Sequence, residues 1–535
     1  MEECVSFAKE QVKNCDDHDA SCKPPRPTQC PSRALDLGLG DTHGTIKLTE
    51  YVSNLGPYIT LSHCWGITHS MVTTTTSNYQ QRVHSILETD LPKTFLDAIH
   101  ITRGLDIRYL WIDSLCIIQE DLADWEVEST KMADVYSGAF LTIAATKAPN
   151  CDGGCLSDRV TQSARPLETF TINGSNQGRP FQVSVREALA IAHQDTCFSS
   201  PRSQTAPLFQ RAWCFQERLL SPRLLHFHPD EMVWVCRSST ACECGHMQTL
   251  PPDSSQVLRE ELRLLNQKFG EIDQDEIDTG EVWRIWKTIA ELYPQLSITK
   301  ESDRLPAMSG IATRLALVLQ GSYLAGIWEE SIPVGLAWLT DPQASRRRQD
   351  IPGVPSWSWM SLQLSGGLLP LGLGEEFYNA TFTPDSRFKL VKFDDTPATR
   401  NPFGPLLNPA ITIEGACIQR VYHFDPTDFS FPCALQVDDE EHPFYTDTKP
   451  EDVPSSSTNP AELVEGDKLL CVLLGAKGKK IAPEHMIGTD DGLTDMALVL
   501  KQKSDGVYQR VGLLVDYLRK KWFSGPVEVE RVVVV

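Results

Sequence analysis

Apolar positions in the first half of the chain follow two alternating rhythms. Near-continuous apolar runs, YITLSHCW at 58–65, YLWIDSLCII at 109–118 and AFLTIAA at 139–145, predict buried strands. The intervening segments have helical spacing. Over 91–104, Phe95, Ala98, Ile99 and Thr102 share one face, with Pro92 in the first turn and Gly104 as the stop. Over 124–137, Trp125, Met132 and Tyr136 repeat at seven and four, and Val135 widens the stripe. Strand, helix, strand, helix, strand with right-handed crossovers predicts a doubly wound, mainly parallel α/β sheet.

The rhythm then changes. Residues 146–206 read as a loop-rich insert with one apolar strand, FQVSV at 181–185, before a helix and a strand resume at 211–227. Helical runs follow at 257–269 and 282–293, the second placing Trp283, Trp286, Ala290 and Tyr293 on one face. Pro397, Pro402, Pro405 and Pro409 mark a linker. Beyond it, ITIEGACIQRVYHF at 411–424, KLLCVLLG at 468–475 and a hairpin around Asp505-Gly506 predict strands, and the polar tract 449–460 a disordered loop. Residues 1–50 are polar and carry Pro24, Pro25, Pro27 and Pro31, which predicts an extended lead-in. The resulting division is a lead-in (1–50), an α/β domain (51–230), a mainly helical continuation (231–395) and a β-rich C-terminal domain (410–535).

Composition narrows the function classes. The chain has 535 residues, enough for about three to four domain-sized units and a sizeable core. Its formal net charge is −22, from 49 basic and 71 acidic residues, which argues against a nucleic-acid partner because phosphate binding needs a basic face. The first residues, MEECVSFAKEQVKNCDD, contain no apolar core of a secretory signal, and no stretch has the length of a bilayer span. Sixteen cysteines are scattered through apolar segments rather than laid out as a disulfide framework. Reduced thiols and a cytoplasmic setting are therefore expected.

The candidate chemistry lies where polar residues interrupt apolar runs. Asp113, Cys116 and Gln119 fall toward the carboxyl end of the second predicted strand, the edge at which open α/β sheets place ligands. Ser62, His63, Trp65 and Gly66 bring a hydroxyl, an imidazole and an indole to the same edge of the first strand. Glu128 lies on the apolar stripe of the second helix, where a carboxylate is costly unless paired or used. In the run RAWCFQER at 211–218, Trp213, Gln216 and Glu217 share a face, so Gln216 or Glu217 could point at the same cleft as Glu128, the alternative being an internal Arg–Glu lock that joins this helix to the second one. Cys15-x2-His18-x3-Cys22, flanked by Cys4 and Cys30, has enough ligands for a tetrahedral zinc, with ordinary packing as the alternative. Cys236, Cys242, Cys244 and His246 form a second, less suitable group, because a Cys-x-Cys would strain one tetrahedron. There is neither a phosphate-binding glycine loop nor a Gly-x-Ser-x-Gly elbow.

Three blocks in order, YITLSHCWG at 58–66, WID-x-LCI-x-Q with its following helix, and RAWCFQERLLSPRLLHF at 211–227, resemble the fungal heterokaryon-incompatibility (HET) domain. The resemblance covers about the first two thirds of the chain, since DRLPAMSGIA at 303–312, YLAGIW at 323–328 and PSWSWMS at 355–361 look like regions that commonly follow this domain. It implies a TIR-like or flavodoxin-like fold and a role in non-self recognition, ending in growth arrest or death of fused cells. TIR relatives that cleave NAD use a helical glutamate shortly after a tryptophan, and Trp125 with Glu128 is similar to that arrangement. The implied activity is nucleotide hydrolysis with NAD as substrate, catalysed by Glu128 and Asp113, with Ser62, His63, Trp65, Gly66, Gln119, Trp125, Arg211, Trp213, Gln216 and Glu217 as binding residues. The alternatives are an oligomerising death-signalling module, acting with an incompatibility partner protein or with its own copies, and a secondary-metabolism protein built on the same scaffold.

Overall fold

The computed structural model describes residues 2–18, 31–38, 45–50, 56–66, 71–156, 170–176, 179–185, 206–229, 231–237, 239–243, 279–340, 345–348, 351–365, 380–425, 433–437, 440–448, 463–479, 494–516, 522–523 and 526–535. The chain divides into two compact units, 1–276 and 277–535.

The first unit is built on one eight-stranded sheet. In chain order its strands and small accessory pairs are β1 (Arg33–Asp36), β2 (Lys47–Glu50), β3 (Tyr58–Ser62), β4 (Thr74–Thr75), β5 (Tyr109–Trp111), β6 (Ile118–Gln119), β7 (Leu141–Ala144), β8 (Phe170–Asn176), β9 (Arg179–Val185), β10 (Arg223–Phe227), β11 (Met232–Cys236) and β12 (Thr240–Cys242). The sheet order is β12-β11-β10-β7-β3-β5-β1-β2. Its centre, β10-β7-β3-β5, is parallel, and antiparallel strands complete both sides, so the fold is a mixed α/β sheet with a parallel heart. The helices are α1 (Glu2–His18), α2 (Tyr79–His84), α3 (Lys93–Gly104), the single turn α4 (Asp113–Cys116), α5 (Leu122–Ser137) and α6 (Ala212–Leu220). The chain leaves β3 through α3 to reach β5 on one side, then returns through α5 to β7 on the other. Right-handed crossovers in opposite directions put those helices on opposite faces, and the reversal makes the β3/β7 pair the switch point of the winding.

The three expected parallel strands are neighbours, but the second is shorter than its apolar run. Extended geometry ends at Ile112, after which Asp113 accepts the amide of Ser114 at 2.7 Å and opens α4. Ile118 and Gln119 then pair with Thr74 and Thr75 instead of prolonging β5. The expectation of an extended lead-in is also corrected. The prolines begin only at position 24, so residues 2–18 are free to form α1, which buries Cys4, Ala8 and Cys15 against the core, while β1 and β2 join the main sheet. Strands β11 and β12 likewise extend this sheet, where a helical continuation was expected from residue 231. The run 257–269 and the tract 449–460 lie outside the described residues.

The second unit begins with helices Thr279–Leu292 and Pro306–Leu315. Trp286 packs edge to face with Tyr323, Trp328 and Trp359 at centroid separations of 5.9–6.1 Å. The remainder is β-rich. Strands Lys468–Lys479, Thr494–Ser504, Val507–Val515, Glu528–Val534 and Ile411–Phe424 pair in succession, and the last also pairs with the first, closing a five-stranded barrel. Arg510, with no solvent exposure, ties the barrel to the segment before it. Its guanidinium donates to the carbonyls of Leu336 and Trp338 at 2.6 and 2.5 Å and to Asp447 at 3.2 Å, and it lies 3.2 Å over the Trp338 ring. The proline cluster expected as a linker is instead a loop of this unit, pinned by a bridge between Pro397 and Leu406. Among the described residues no helix is long and apolar enough to cross a membrane, and every described cysteine is a buried free thiol.

Candidate active site

Strand β3 is buried throughout because parallel strands covered on both faces leave no polar edge to water. Ser62, its last residue, pairs with Ala144 of β7, at the switch point itself. The chain then exits through His63, Cys64, Trp65 and Gly66. Gly66 has φ 75° and lies against Asn150, whose Cβ would be 2.4 Å from an added Cβ, so only glycine allows both the turn and the approach.

Three elements converge on this exit. From the first residue of α4, just after β5, Asp113 accepts the Trp65 indole N–H at 2.7 Å and stands 3.8 Å from His63 Nδ1, with its side chain 18% exposed. From α6, Glu217 is buried and accepts the Ser62 hydroxyl at 2.5 Å. From α5, Tyr136 donates to the Leu61 carbonyl at 3.2 Å and also bonds Glu217. Arg211, just before α6, adds its positive charge to the cluster, and its buried Nε has no hydrogen-bond partner.

The electrostatics follow from burial. Desolvation, reinforced by the charge of Asp113, pushes the Glu217 carboxyl up to about 7, against the pull of Ser62, Arg211 and Tyr136. Burial lowers His63, Asp113 opposes that shift, and Arg211 reinforces it, so the imidazole is held neutral. Its Nε2 is buried without a partner. Burial also pushes the Cys64 thiol up to about 11 and Cys214 well above its ordinary value, which makes both poor nucleophiles at neutral pH. The cluster therefore offers two acids of different character: Asp113 at the partly open mouth, and Glu217 sealed behind Ser62 and poised near neutrality. Two carboxyl groups with such separated environments are the arrangement that acid–base chemistry uses.

The expected residues divide between this cluster and other places. Ser62, His63, Trp65, Asp113, Arg211 and Glu217 are brought together. Gln119 donates to the Ile117 carbonyl at 3.2 Å, bracing the turn that carries Asp113. Gln216 is buried on α6, while Trp213 and Trp125 are half-buried on α6 and α5. Glu128 turns elsewhere. Although 2% exposed, it accepts Ser32 Oγ at 2.6 Å and Lys131 Nζ at 3.0 Å, joining α5 to the segment before β1. Arg33 strengthens that seam through Asp124, at 2.6 Å. The inward carboxylate of the Trp125–Glu128 pattern is thus paired in a lock, with Ser32 and Lys131 as partners. Tyr136 is a further member that the sequence does not announce: along the chain it reads as one more apolar position of the α5 stripe, and only its hydroxyl hints otherwise.

For zinc, Cys15 is buried in the core and His18 ends α1, but Cys22 lies outside the described residues, as do Cys244 and His246 of the second group. Among the described residues no three metal-ligating side chains cluster.

No curated protein and no solved structure matches the chain. A family model does, described as heterokaryon incompatibility protein (HET), over residues 58–217. Those limits enclose the residues of the cluster, from the first residue of β3 to Glu217. The span matched by the family model and the strand-end site therefore coincide, and residues 58–217 of the chain are a heterokaryon-incompatibility (HET) domain.

Proposed function

We propose that this protein acts in fungal heterokaryon incompatibility, ending in death of fused cells, by hydrolysing the N-glycosidic bond of NAD or a related nucleotide at the end of β3. The observation that carries this reading is Glu217, a sealed carboxyl held on Ser62 with its pKa raised to about 7 by burial and by Asp113. Loss of nicotinamide leaves a cationic sugar, which the Asp113 carboxylate at the mouth stabilises. Trp65 holds that carboxylate through its indole N–H. The bond from the sugar carbon to nicotinamide breaks, a bond to a water oxygen forms, and the water's proton passes to the Ser62 hydroxyl as Ser62 passes its own to Glu217. Glu128, paired with Lys131 and Ser32, takes a positioning role for α5 in place of the catalytic one that the tryptophan–glutamate pattern implies.

Incubating the pure protein with NAD and related nucleotides and measuring released nicotinamide tests the proposal. Turnover that is lost in Glu217→Gln and Asp113→Asn but kept in Glu128→Gln supports it. No release from the unaltered protein, or release that survives both substitutions, rejects it.

The burial of Ser62 and Glu217 favours a second reading, in which the network only locks α6 to the sheet and the domain signals by self-association or through an incompatibility partner. Toxicity on overexpression that survives Asp113→Asn, in a protein without turnover, selects that reading.

A further inference from the structure

We propose that the second unit carries a separate binding site for a methylated ammonium cation. A cavity of about 440 Å³, within the usual range of small-ligand pockets, lies beside the hairpin Tyr323–Leu324/Ile327–Trp328. Tyr323, Trp328 and Phe403 line it, with centroids 5.1–6.4 Å apart. Asp395 also lines it, fixed by the Ser322 hydroxyl at 2.7 Å. Among the described residues that line it there is no lysine or arginine to neutralise that carboxylate. Aromatic rings attract cations through their quadrupoles, and a carboxylate beside them adds a full opposite charge. The methyl groups of a quaternary ammonium suit an apolar wall, while a primary ammonium would forfeit its hydration there.

The wall is preformed. Asp394 accepts the Thr396 amide at 3.0 Å and the Asn408 side chain at 2.7 Å, and Asn401 accepts the Phe403 amide at 3.0 Å. The backbone of Ala398 donates to Pro405 at 2.7 Å and that of Leu407 to Thr396 at 2.8 Å. Asp395, Pro397, Pro402 and Phe403 are therefore held before any ligand arrives, which limits the ordering entropy of binding. This explains why a proline-rich stretch belongs to the folded unit.

Such a cation could be a free metabolite or a trimethyllysine side chain, and the experiment separates them. The full chain is titrated with tetramethylammonium, with choline, with neopentyl alcohol as the uncharged isostere, and with a lysine peptide in trimethylated and unmodified forms, following tryptophan fluorescence. A saturable response to tetramethylammonium, absent with neopentyl alcohol and weakened at least fivefold in Asp395→Asn, is expected. Phe403→Ala should weaken it similarly and Phe403→Tyr should preserve it, with melting temperatures checking that the fold is kept. Tighter binding of choline than of the trimethylated peptide assigns a free metabolite, and the reverse assigns a modified protein. No saturable response, equal response to the isostere, or undiminished binding by Asp395→Asn overturns the site. Glu217→Gln should leave this binding untouched, so failure here and failure of nucleotide turnover are read independently.

Discussion

Arg510 in the second unit and Glu217 in the first are both buried charged groups, and the two are built on opposite terms. In the second, the guanidinium of Arg510 faces two carbonyls, the Asp447 carboxylate and the Trp338 ring, so its charge is answered on every side. In the first, Glu217 is also hidden, yet it has a serine hydroxyl and a tyrosine for partners and a second carboxylate for a neighbour, whose effect with burial outweighs the pull of Arg211. The first arrangement is a fastening. The second holds an acid at the edge of ionisation, which is useful chemically and unhelpful for stability. Burial alone therefore does not distinguish a structural charge from a working one; the number and sign of its partners do.

The largest expected effect tests the fastening. Arg510→Leu leaves Asp447 buried without its cation and two carbonyls without donors, and should cost about 3–5 kcal/mol of unfolding free energy, measured by denaturant titration. A loss under about 1 kcal/mol would mean that the fastening is weaker than its contacts imply. Next comes Glu217→Gln, which keeps shape and removes the charge. Nicotinamide release should fall by about 10²–10⁴-fold, with no loss of stability at pH 8. A protein destabilised as severely as Arg510→Leu would place Glu217 among the fastenings and erase the contrast.

The pH dependence sharpens the same point. A carboxyl raised to about 7 in the folded state binds a proton there that the unfolded chain has already released. Its contribution to stability is therefore fully present below the ordinary carboxylate pKa and is lost as pH rises through about 7, at no more than about 1.4 kcal/mol per pH unit. Urea titrations across pH 5–8 should show that slope in the unaltered protein and lack it in Glu217→Gln, while turnover by the unaltered protein rises over the same range as the base ionises. Smaller still, Glu128→Gln should cost about 1–2 kcal/mol through its bond to Lys131 and leave turnover intact. At the low end, Lys9→Ala, which removes an exposed ion pair with Asp106, should change stability by less than about 0.5 kcal/mol.

What the sequence made legible was the parallel heart of the first unit. Its three strands are continuous apolar runs, and their carboxyl ends are where the polar residues fall, so the sequence pattern alone places Ser62, Trp65 and Asp113 on one edge. Glu217 was visible as one of two polar residues on an otherwise buried helix face. The partnership between distant residues was not visible. Ser62 and Glu217 are 155 positions apart, and no local pattern links a strand end to a helix that follows a long insert. Glu128 misled for the complementary reason: its stripe position correctly foretold burial, but the lysine one turn on and the serine before β1 answer its charge. Proline counting misled twice. Residues 2–18 lie clear of the prolines and form a helix, while the prolines after 396 stiffen a loop.

The seam of the barrel sets a clock for the second unit. Ile411 pairs with Val534 and Cys417 with Glu528, so the strand that opens the barrel finds its edge partner more than a hundred positions later. Loop-closure entropy of that size makes the pairing slow and late. During synthesis, all the strands of the first unit's sheet have been made, and that unit can be folding, before residues 528–534 exist. Until they emerge, residues 411–417 carry an unpaired edge, a stretch open to association with another strand. Pulse-labelled hydrogen exchange during refolding should find the amides of 411–417 among the last to become protected.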